Sequence, residues 1–309
     1  MLVDGNSLLH RCLHALPFMS SPAGLPTNAV YGMLKTLEKL VGEFSPTHLA
    51  VCFDVSKQTF RHNLYPQYKA NRKPAPQALA RQFPLIREVL SALNIPYFEY
   101  PEYEADDLLG TIASKAAGFL TRIATGDRDC VQLVDPRTRL ILYKNGGHAE
   151  IDMQAVRDEY GIEPWQVVHF KALAGDKSDN IPGVPGIGEK TALELVKQYR
   201  VINLAPENIP GKTGKVLTEG RSLMLLSYKL AKINCECPVE VDFDSLKLEV
   251  DAESGRKKLA ELGIRKIDLD VLAGRNKKRL VAVPEKKSDA SKIKKREVDA
   301  QETVQLTLF

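Results

Sequence analysis

Apolar positions in the first half of the chain follow two patterns, short unbroken runs and longer stretches with helical spacing. The short runs predict strands at residues 2–3, 49–53, 95–98, 122–125 and 140–143. The stretches with helical spacing lie between the strands, at residues 7–16, 28–44, 104–116 and 130–134. Because strands and helices alternate, we expect an α/β fold with a mostly parallel central sheet and flanking helices.

An acidic residue follows three of these predicted strands. Asp4, Asp54 and Asp127 each lie just beyond the last apolar residues of a separate strand. Ligand sites in open parallel sheets gather beyond the carboxyl ends of the strands, so we expect the three side chains to converge on one crevice. A single aspartate in this position is more often a helix cap or a turn residue. That alternative weakens because it would have to apply three times.

The start of one predicted helix is unusually acidic. Glu104, Asp106 and Asp107 lie within four residues at the beginning of an apolar-periodic run. One acid there is ordinary, because the positive end of the helix dipole stabilises it and a cap needs only one oxygen. Three acids repel one another. We therefore expect positive charge to lie among them, in the same crevice as the strand-end acids.

Residues 55–87, here called the basic segment, contain no Asp or Glu. The basic residues in this segment are Lys57, Arg61, Lys69, Arg72, Lys73, Arg81 and Arg87. Phe60, Tyr65 and Tyr68 are interleaved with them. This combination is typical of phosphate contact with base stacking, so it predicts nucleic-acid binding. A solvated basic loop is the weaker interpretation, because the segment contains no counter-charge.

A glycine-rich stretch marks the second half of the chain. After a predicted helix at residues 161–174, Gly183, Gly186 and Gly188 lead into another helix that begins at Glu189. A glycine-rich turn before a helix presents N–H groups to an anion, which favours a helix-hairpin-helix element that grips a DNA phosphate. The spacing does not match a dinucleotide-binding fold, because no strand precedes the glycines. A plain tight turn is the alternative. Further helices are predicted at residues 221–233, 257–263 and 268–274.

Composition sets the outer limits of these predictions. The 309 residues, 44% of them hydrophobic, suffice for one large or two ordinary domains. We expect a cytoplasmic protein, because no apolar run has membrane-spanning length and no signal peptide is present. The five cysteines are irregularly spaced and are predicted to be reduced thiols rather than zinc ligands.

The net charge of +4 is unevenly placed. Residues 275–302 contain ten basic and five acidic residues, and the rest of the chain is nearly neutral. With few apolar residues, this Lys-rich stretch is predicted to be disordered. A near-neutral body in a nucleic-acid-binding protein fits a chain that gathers many of its acids in one place.

Taken in order, the motifs resemble the bacterial 5′-nuclease family, the flap endonucleases and 5′–3′ exonucleases that include the 5′-nuclease domain of DNA polymerase I. The resemblance covers about residues 1–250. It rests on Val3-Asp4-Gly5-Asn6-Ser7, Phe53-Asp54, Tyr68-Lys69-Ala70-Asn71-Arg72, Glu104-Ala105-Asp106-Asp107, Thr125-Gly126-Asp127-Arg128-Asp129 and the glycine-rich stretch 175–188. No polymerase sequence follows, so a stand-alone form is expected.

The resemblance implies three regions and a metal site. Residues 1–160 would form a PIN-like catalytic core with a helical arch at 57–84. Residues 161–274 would form a helical DNA-binding domain, and 275–309 the tail. Two Mg²⁺ ions, about 4 Å apart and replaceable by Mn²⁺, are expected to activate water and stabilise the transition state. Their implied ligands are Asp4, Asp54, Glu104, Asp106, Asp107, Asp127, Asp129, Asp176 and Asp179.

The family pattern also implies catalytic and DNA-binding roles. Catalytic roles fall on Lys69, Arg72, Asp127 and Asp129. The expected DNA contacts are Arg61, Tyr68, Lys69, Arg72, Lys73, Gly183, Gly186, Gly188 and Lys190. The glycine hairpin is also expected to hold a K⁺ through backbone carbonyls.

The implied activity is hydrolysis of DNA at a 5′ flap or free 5′ end, extending to RNA primers, by a monomer acting in replication and repair. Two alternatives remain. An RNA-cleaving nuclease with a similar acidic core would generally lack the basic arch and the glycine hairpin. A non-catalytic DNA-binding protein is disfavoured, because metal-free acids would repel DNA.

The last five residues suggest a protein partner. Gln305, Leu306, Leu308 and Phe309 resemble the short peptide with which bacterial replication proteins bind the sliding clamp. In that peptide the glutamine bonds to backbone at a pocket edge and the apolar side chains fill the pocket. A tail that docks on its own domain is the alternative, as is a terminus without function.

Overall fold

The computed structural model describes residues 1–56, 58–144, 147–199 and 209–275. A six-stranded sheet lies at its centre. The strands are β1 Leu2–Asp4, β2 Ala50–Phe53, β3 Tyr97–Glu99, β4 Thr121–Thr125, β5 Thr138–Lys144 and β6 Gly147–Ile151. Their order is β3-β2-β1-β4-β5-β6. All neighbouring pairs are parallel except β5 and β6, which pair antiparallel at one edge.

Helices cover both faces of the sheet and continue beyond it. In the first part of the chain they are α1 Gly5–Ala15, α2 Asn28–Phe44, α3 Phe60–Leu64, α4 Gln77–Ala80, α5 Gln82–Ala92, α6 Ala105–Lys115 and α7 Met153–Tyr160. The helical region that follows contains α8 Val167–Ala174, α9 Glu189–Tyr199, α10 Gly211–Glu219 and α11 Arg221–Ala231. The described part ends with α12 Ala252–Glu261 and α13 Leu269–Leu272.

The central strands are short and apolar because both of their faces are buried. Successive side chains point to opposite faces, so Val3 and Val51 pack in one core and Leu2 and Cys52 pack in the other. The first core contains α1, α2 and α5, and the second contains α6 and the helical region. The polar ends of the strands therefore lie between two packed layers of helices.

The predicted fold class is confirmed, and the helix predicted at residues 28–44 matches α2. Several local predictions were wrong or missing. The edge strand β6 and helix α7 had not been predicted. The helix predicted at 130–134 is a 3₁₀ helix, Arg128–Leu133. The helix predicted at 161–174 is interrupted, because Gly161 ends α7 at a φ of 67° and a short 3₁₀ turn at Pro164 precedes α8.

The last two helices of the predicted helical domain at 161–274 pack against helices of the first part of the chain. Helices α12 and α13 belong to the first core, where Leu259 and Leu272 are buried together with residues of α2 and α5. They pack there because their few apolar residues cover the outer face of those helices. In the described ranges, no helix is long and apolar enough to cross a membrane. The predicted tail lies outside the described residues from 276 onwards.

Candidate active site

A cavity of about 720 Å³ lies at the carboxyl ends of the parallel strands. Seven of the nine predicted ligand acids line it: Asp4, Asp54, Glu104, Asp106, Asp127, Asp129 and Asp176. The strand-end aspartates and the acidic helix start therefore meet in one place, as the sequence pattern predicted. Asp107 and Asp179 are not among the lining residues.

Asp4 has two structural partners as well as its place in the cavity. One carboxylate oxygen accepts the backbone N–H of Ser7 at 2.9 Å and so caps helix α1. The other accepts the hydroxyl of Thr125 at 2.7 Å. Burial, together with the charges of nearby Asp54 and Asp127, raises the pKa of Asp4 to about 7 against the effect of these hydrogen bonds. The cap and the cavity roles thus coexist in one side chain.

Asp54 joins the first strands to the acidic helix. Its side chain accepts Asn6 Nδ2 at 2.8 Å and the backbone N–H of Ala105 at 2.6 Å. Asp106, in the first turn of the same helix, accepts a weak bond from the thiol of Cys130 at 3.3 Å. Burial, followed by the charges of Asp127 and Asp4, raises the pKa of Asp106 well above its ordinary value. The carboxylates of Asp4, Asp106 and Asp127 are therefore close enough to repel one another.

A buried lysine that sequence reasoning missed lies on the other side of the cavity. Lys171 of α8 is 1% exposed and pairs with both Asp129 and Asp176, the latter at 2.6 Å. Burial and the charge of Asp127 raise the pKa of Asp129 to about 7, although Lys171 opposes the shift. A sequence signal existed, because Lys171 is the only charged residue in the apolar run of α8.

We expect the Lys171→Met variant to be destabilised when metal is absent, because it leaves two buried carboxylates unpaired. The loss in free energy of unfolding should be about 3 kcal/mol at pH 8. It should be smaller at pH 6. A folded-state pKa above the unfolded value means that stability falls as pH rises, and losing the lysine moves the pKa of Asp129 higher still.

Urea unfolding at both pH values in the presence of EDTA measures this effect. Lys229→Met, at an exposed position of α11, is the matched control and should change little at either pH. An equal loss at pH 6 and pH 8 would contradict the electrostatic explanation.

The basic segment has counter-charges in the folded chain, although it contains no acid of its own. This corrects the interpretation that its cations lack acidic partners. Acids from other parts of the chain pair with four of its seven cations: Lys69 with Glu104, Arg72 with Asp179, Arg61 with Asp107, and Arg87 with Glu99. Lys57 lies outside the described residues, and Lys73 and Arg81 are exposed. Absence of acids within a segment does not predict the charge around it once the chain has folded.

Two cations of the basic segment, Lys69 and Arg72, line the cavity. Lys69 Nζ donates to Glu104 Oε1 at 2.9 Å and lies 3.7 Å from Asp179. Burial tends to raise the pKa of Glu104, but Lys69 and then Arg61 lower it below the ordinary value. Positive charge does lie among the acids, as expected from their crowding.

The arch predicted at 57–84 is formed by short pieces, α3 and α4 with a loop between them. That loop is hydrogen-bonded to the residues just before the glycine hairpin. Lys69 N–H donates to Asp179 O at 2.9 Å, and Asn180 Nδ2 donates to Gln67 O at 2.7 Å. Ala75, Leu79 and Phe83 line the cavity. In this conformation the segment forms one wall of the cavity.

Three predicted DNA contacts are buried, which corrects those assignments. Arg61 is 2% exposed and Tyr68 is 3% exposed. The Tyr68 hydroxyl lies 3.2 Å from both Glu104 and Asp179, so the ring packs inward instead of presenting a face to a base. Gly183 is buried and its N–H donates to Ser227 Oγ at 2.9 Å. Its φ of 65° and its contact with Gly175 explain why only glycine fits.

The other predicted hairpin contacts, Gly186, Gly188 and Lys190, are exposed. Asp179 is 5% exposed and its oxygens face Arg72, Tyr68 and Lys69, so it lies behind the cavity wall. Its predicted role as a metal ligand does not fit this arrangement.

The donor set fits a hard divalent cation. All seven acids supply oxygen, and Mg²⁺ prefers oxygen and keeps several of its waters. Within the described ranges, no group of three His, Cys, Asp or Glu side chains is already gathered as a complete ligand set. Lysines and backbone N–H groups instead hold several of the carboxylate oxygens. The seven acids could hold ions through water as well as directly.

A mostly parallel sheet whose strand ends gather carboxylates, followed by a helical region, defines a PIN-like nuclease fold. Residues 1–161 match the model of the 5′-3′ exonuclease N-terminal resolvase-like domain, and residues 162–254 match that of the 5′-3′ exonuclease C-terminal SAM fold. The chain belongs to the 5′-3′ exonuclease family. The resemblance inferred from the motifs is confirmed.

Individual relatives agree with this assignment. DNA polymerase I of Bacillus caldotenax is 42% identical over 275 residues, which are 86% of this chain and 31% of the polymerase. The chain thus spans about a third of that relative's length. The fold is similar to zinc-bound 5′-exonuclease of bacteriophage T5, with a TM-score of 0.64 and 23% identity over 84% of this chain and 98% of that one.

A second structure from bacteriophage T5 is a flap endonuclease in a pseudo-enzyme-product complex with DNA and metal ions. Its TM-score is 0.64, with 22% identity over 84% of this chain and 98% of that chain.

Proposed function

We propose that this chain is a structure-specific 5′ nuclease that hydrolyses DNA phosphodiesters at a 5′ flap or near a free 5′ end, in primer removal and repair. The observation that supports this best is the convergence of seven carboxylates in one open cavity with Lys69 and Arg72 in its wall. Acids alone would repel a polyanion, so the arrangement needs bound cations. Cations from the basic segment supply part of that charge.

Two divalent ions complete the proposed site. Asp4, Asp54, Glu104, Asp106 and Asp127 would hold the first, and Asp129 and Asp176 the second. Mg²⁺, with Mn²⁺ as a substitute, activates water and offsets charge on the reacting phosphate when bound. A K⁺ held by backbone carbonyls of the glycine hairpin is proposed from the family resemblance.

The chain's own residues would orient the substrate. Lys69 and Arg72 are paired with Glu104 and Asp179 here, and their charged groups lie at the cavity. When an ion neutralises Glu104, Lys69 becomes available to a phosphate oxygen, where positive charge stabilises the transition state. Arg72 adds positive charge at the cavity wall while it stays paired with Asp179. No histidine base is needed for this chemistry.

The duplex part of the substrate is assigned to the glycine hairpin. Gly186, Gly188 and Lys190 are exposed at the start of α9, whose N-terminal N–H groups suit a phosphate. Lys73 is exposed beside the cavity wall and is proposed to contact the flap. We propose that the protein acts as a monomer in the cytoplasm.

A cleavage assay tests the proposal directly. A 5′-labelled flap substrate, a blunt duplex and a single strand should be incubated with the full chain, with Mg²⁺ or with EDTA. We expect Mg²⁺-dependent cleavage of the flap at its junction and much slower cleavage of the single strand. Equal cleavage of all three substrates, or none with Mg²⁺, would contradict the proposed structure specificity.

The end of the chain, which lies outside the described residues, is proposed to bind the bacterial sliding clamp. Gln305, Leu306, Leu308 and Phe309 resemble the clamp-binding peptide, and a Lys-rich tether would hold the nuclease near DNA and raise its effective concentration.

We expect a peptide of residues 301–309 to bind purified clamp, and Leu308→Ala with Phe309→Ala to weaken binding at least about tenfold, since both apolar anchors are removed. Calorimetric titration of the clamp measures this, with Thr307→Ala as the matched control. Equal binding by the double variant would contradict the proposal. Slower clamp-free cleavage by that variant would favour a tail that docks on its own domain.

A further inference from the structure

Arg61 and Asp107 form a buried ion pair beside the cavity. Arg61 Nη1 donates to Asp107 Oδ2 at 2.7 Å, and Nη2 donates to Oδ1 at 2.8 Å. The two residues are 2% and 0% exposed. This two-pronged geometry uses the planar fork of arginine, which lysine cannot reproduce.

The carboxylate of Asp107 has no acceptor capacity left. Besides the two bonds from Arg61, Oδ2 accepts the backbone N–H of Glu104 at 3.0 Å, and Oδ1 accepts that of Asn234 at 2.8 Å. A carboxylate offers about four lone-pair sites, and all four are occupied. Asp107 is therefore not available as a metal ligand unless this network breaks.

The donors of Arg61 are equally committed. Nε donates to Leu230 O at 2.9 Å, Nη2 to Lys232 O at 2.8 Å, and Nη1 makes a longer contact of 3.4 Å with Glu104 Oε2. Together with the bonds to Asp107, these use its five N–H groups. The pair thus joins α3 in the basic segment, the start of α6, and the chain that leaves α11.

We propose that Arg61 and Asp107 are a positioning pair that fixes Glu104 toward the cavity and holds the basic segment and the helical region in register around the metal site. Glu104 is fixed from two directions, because its backbone N–H bonds to Asp107 and its carboxylate contacts Arg61. The same carboxylate accepts Lys69. The inference deepens the proposed function, but its main test does not depend on cleavage.

The affinity of the protein for Mg²⁺, measured without DNA, distinguishes a positioning pair from a metal ligand. The two roles predict changes of different sign when Arg61 is replaced. If Asp107 were a ligand, Asp107→Asn would weaken Mg²⁺ binding, and Arg61→Met would strengthen it by removing a positive charge from an acidic site. A positioning pair behaves differently. Both variants should weaken Mg²⁺ binding about tenfold, a size typical of removing a partner that orients a ligand. Arg61→Lys should weaken it similarly, because it keeps the charge and removes the fork.

Unpaired buried charge could unfold the single variants, so a double variant is needed. Arg61→Met with Asp107→Leu leaves neither charge and should recover most of the thermal stability that each single variant loses. Its Mg²⁺ affinity should stay about tenfold reduced, because Arg61 no longer orients Glu104. Arg81→Met, an exposed position in the same segment, controls for loss of one positive charge and should not weaken Mg²⁺ binding.

Isothermal titration of each metal-free folded variant with Mg²⁺, and thermal unfolding in EDTA, give the two readouts. Opposite effects of Asp107→Asn and Arg61→Met on Mg²⁺ affinity would overturn the proposal, as would wild-type affinity in the double variant. Failure of the wild-type protein to cleave flap DNA would count against the proposed function and leave this test intact.

Discussion

Replacing Asp127 or Asp176 with Asn is expected to slow single-turnover cleavage of 5′-flap DNA by about 10³-fold while leaving the fold intact. Each side chain lines the cavity, and each also accepts backbone N–H groups, Asp129 for the first and Ser178 for the second. Asparagine preserves an acceptor oxygen for those bonds and removes the charge that a divalent cation needs. The loss should therefore appear in the rate. The melting temperature should not change for Asp127→Asn, whereas Asp176→Asn should lower it because it weakens the buried pair with Lys171.

Rapid-quench kinetics with saturating Mg²⁺ and DNA, together with circular dichroism, measure both quantities. Asp158→Asn is the matched control, because Asp158 is an exposed aspartate on α7, outside the cavity. Wild-type turnover in either cavity variant would remove that residue from the proposed site.

The second large effect is expected at the two cations of the cavity wall. Lys69→Ala and Arg72→Ala should each lower the single-turnover rate about 10²-fold, because each removes positive charge from the region of the reacting phosphate. Binding of flap DNA should also depend less on salt. The slope of log Kd against log salt should fall by about one for each phosphate that the variant no longer binds.

Two series of measurements check this, cleavage rates at saturating DNA and binding in Ca²⁺ over a range of salt. Lys257→Ala, at an exposed position of α12, should match the wild type in both. Unchanged rates in the Lys69 and Arg72 variants would contradict a catalytic role for these two cations.

Much of the fold and the site follows from local pattern. A strand buried on both faces needs a short apolar run, and parallel strands bring their carboxyl ends to one edge, so Asp4, Asp54 and Asp127 had to lie near one another. The acidic helix start belongs to the same edge for the same reason. These inferences use only neighbours in sequence and the geometry of a parallel sheet.

The pairing of charges does not follow from local pattern. Asp106 and Asp107 are adjacent on a helix and point about 100° apart, so only one of them can face the cavity. The other acid, Asp107, pairs with Arg61, which lies 46 positions away in the sequence. The partner of Lys171 across the chain, Asp129, is likewise 42 positions away. Sequence spacing carries no information about such distances.

The edge strand β6 was missed for a different reason. Its residues are mostly half-exposed, so Gly147–Ile151 lacks the apolar run that identifies the central strands. Its stability comes from pairing with β5, which forms only in the folded chain.

The double role of Asp4 has a consequence for how this position tolerates change. Asparagine and serine cap helices about as well as aspartate, and either would remove a charge whose burial raises its pKa to about 7. A library randomised at position 4 and sorted only for folded protein should therefore enrich these neutral caps over the native residue. Sorting the same library for flap cleavage should return aspartate. The difference between the two enrichments at position 4 would measure how much stability the native aspartate costs in return for activity.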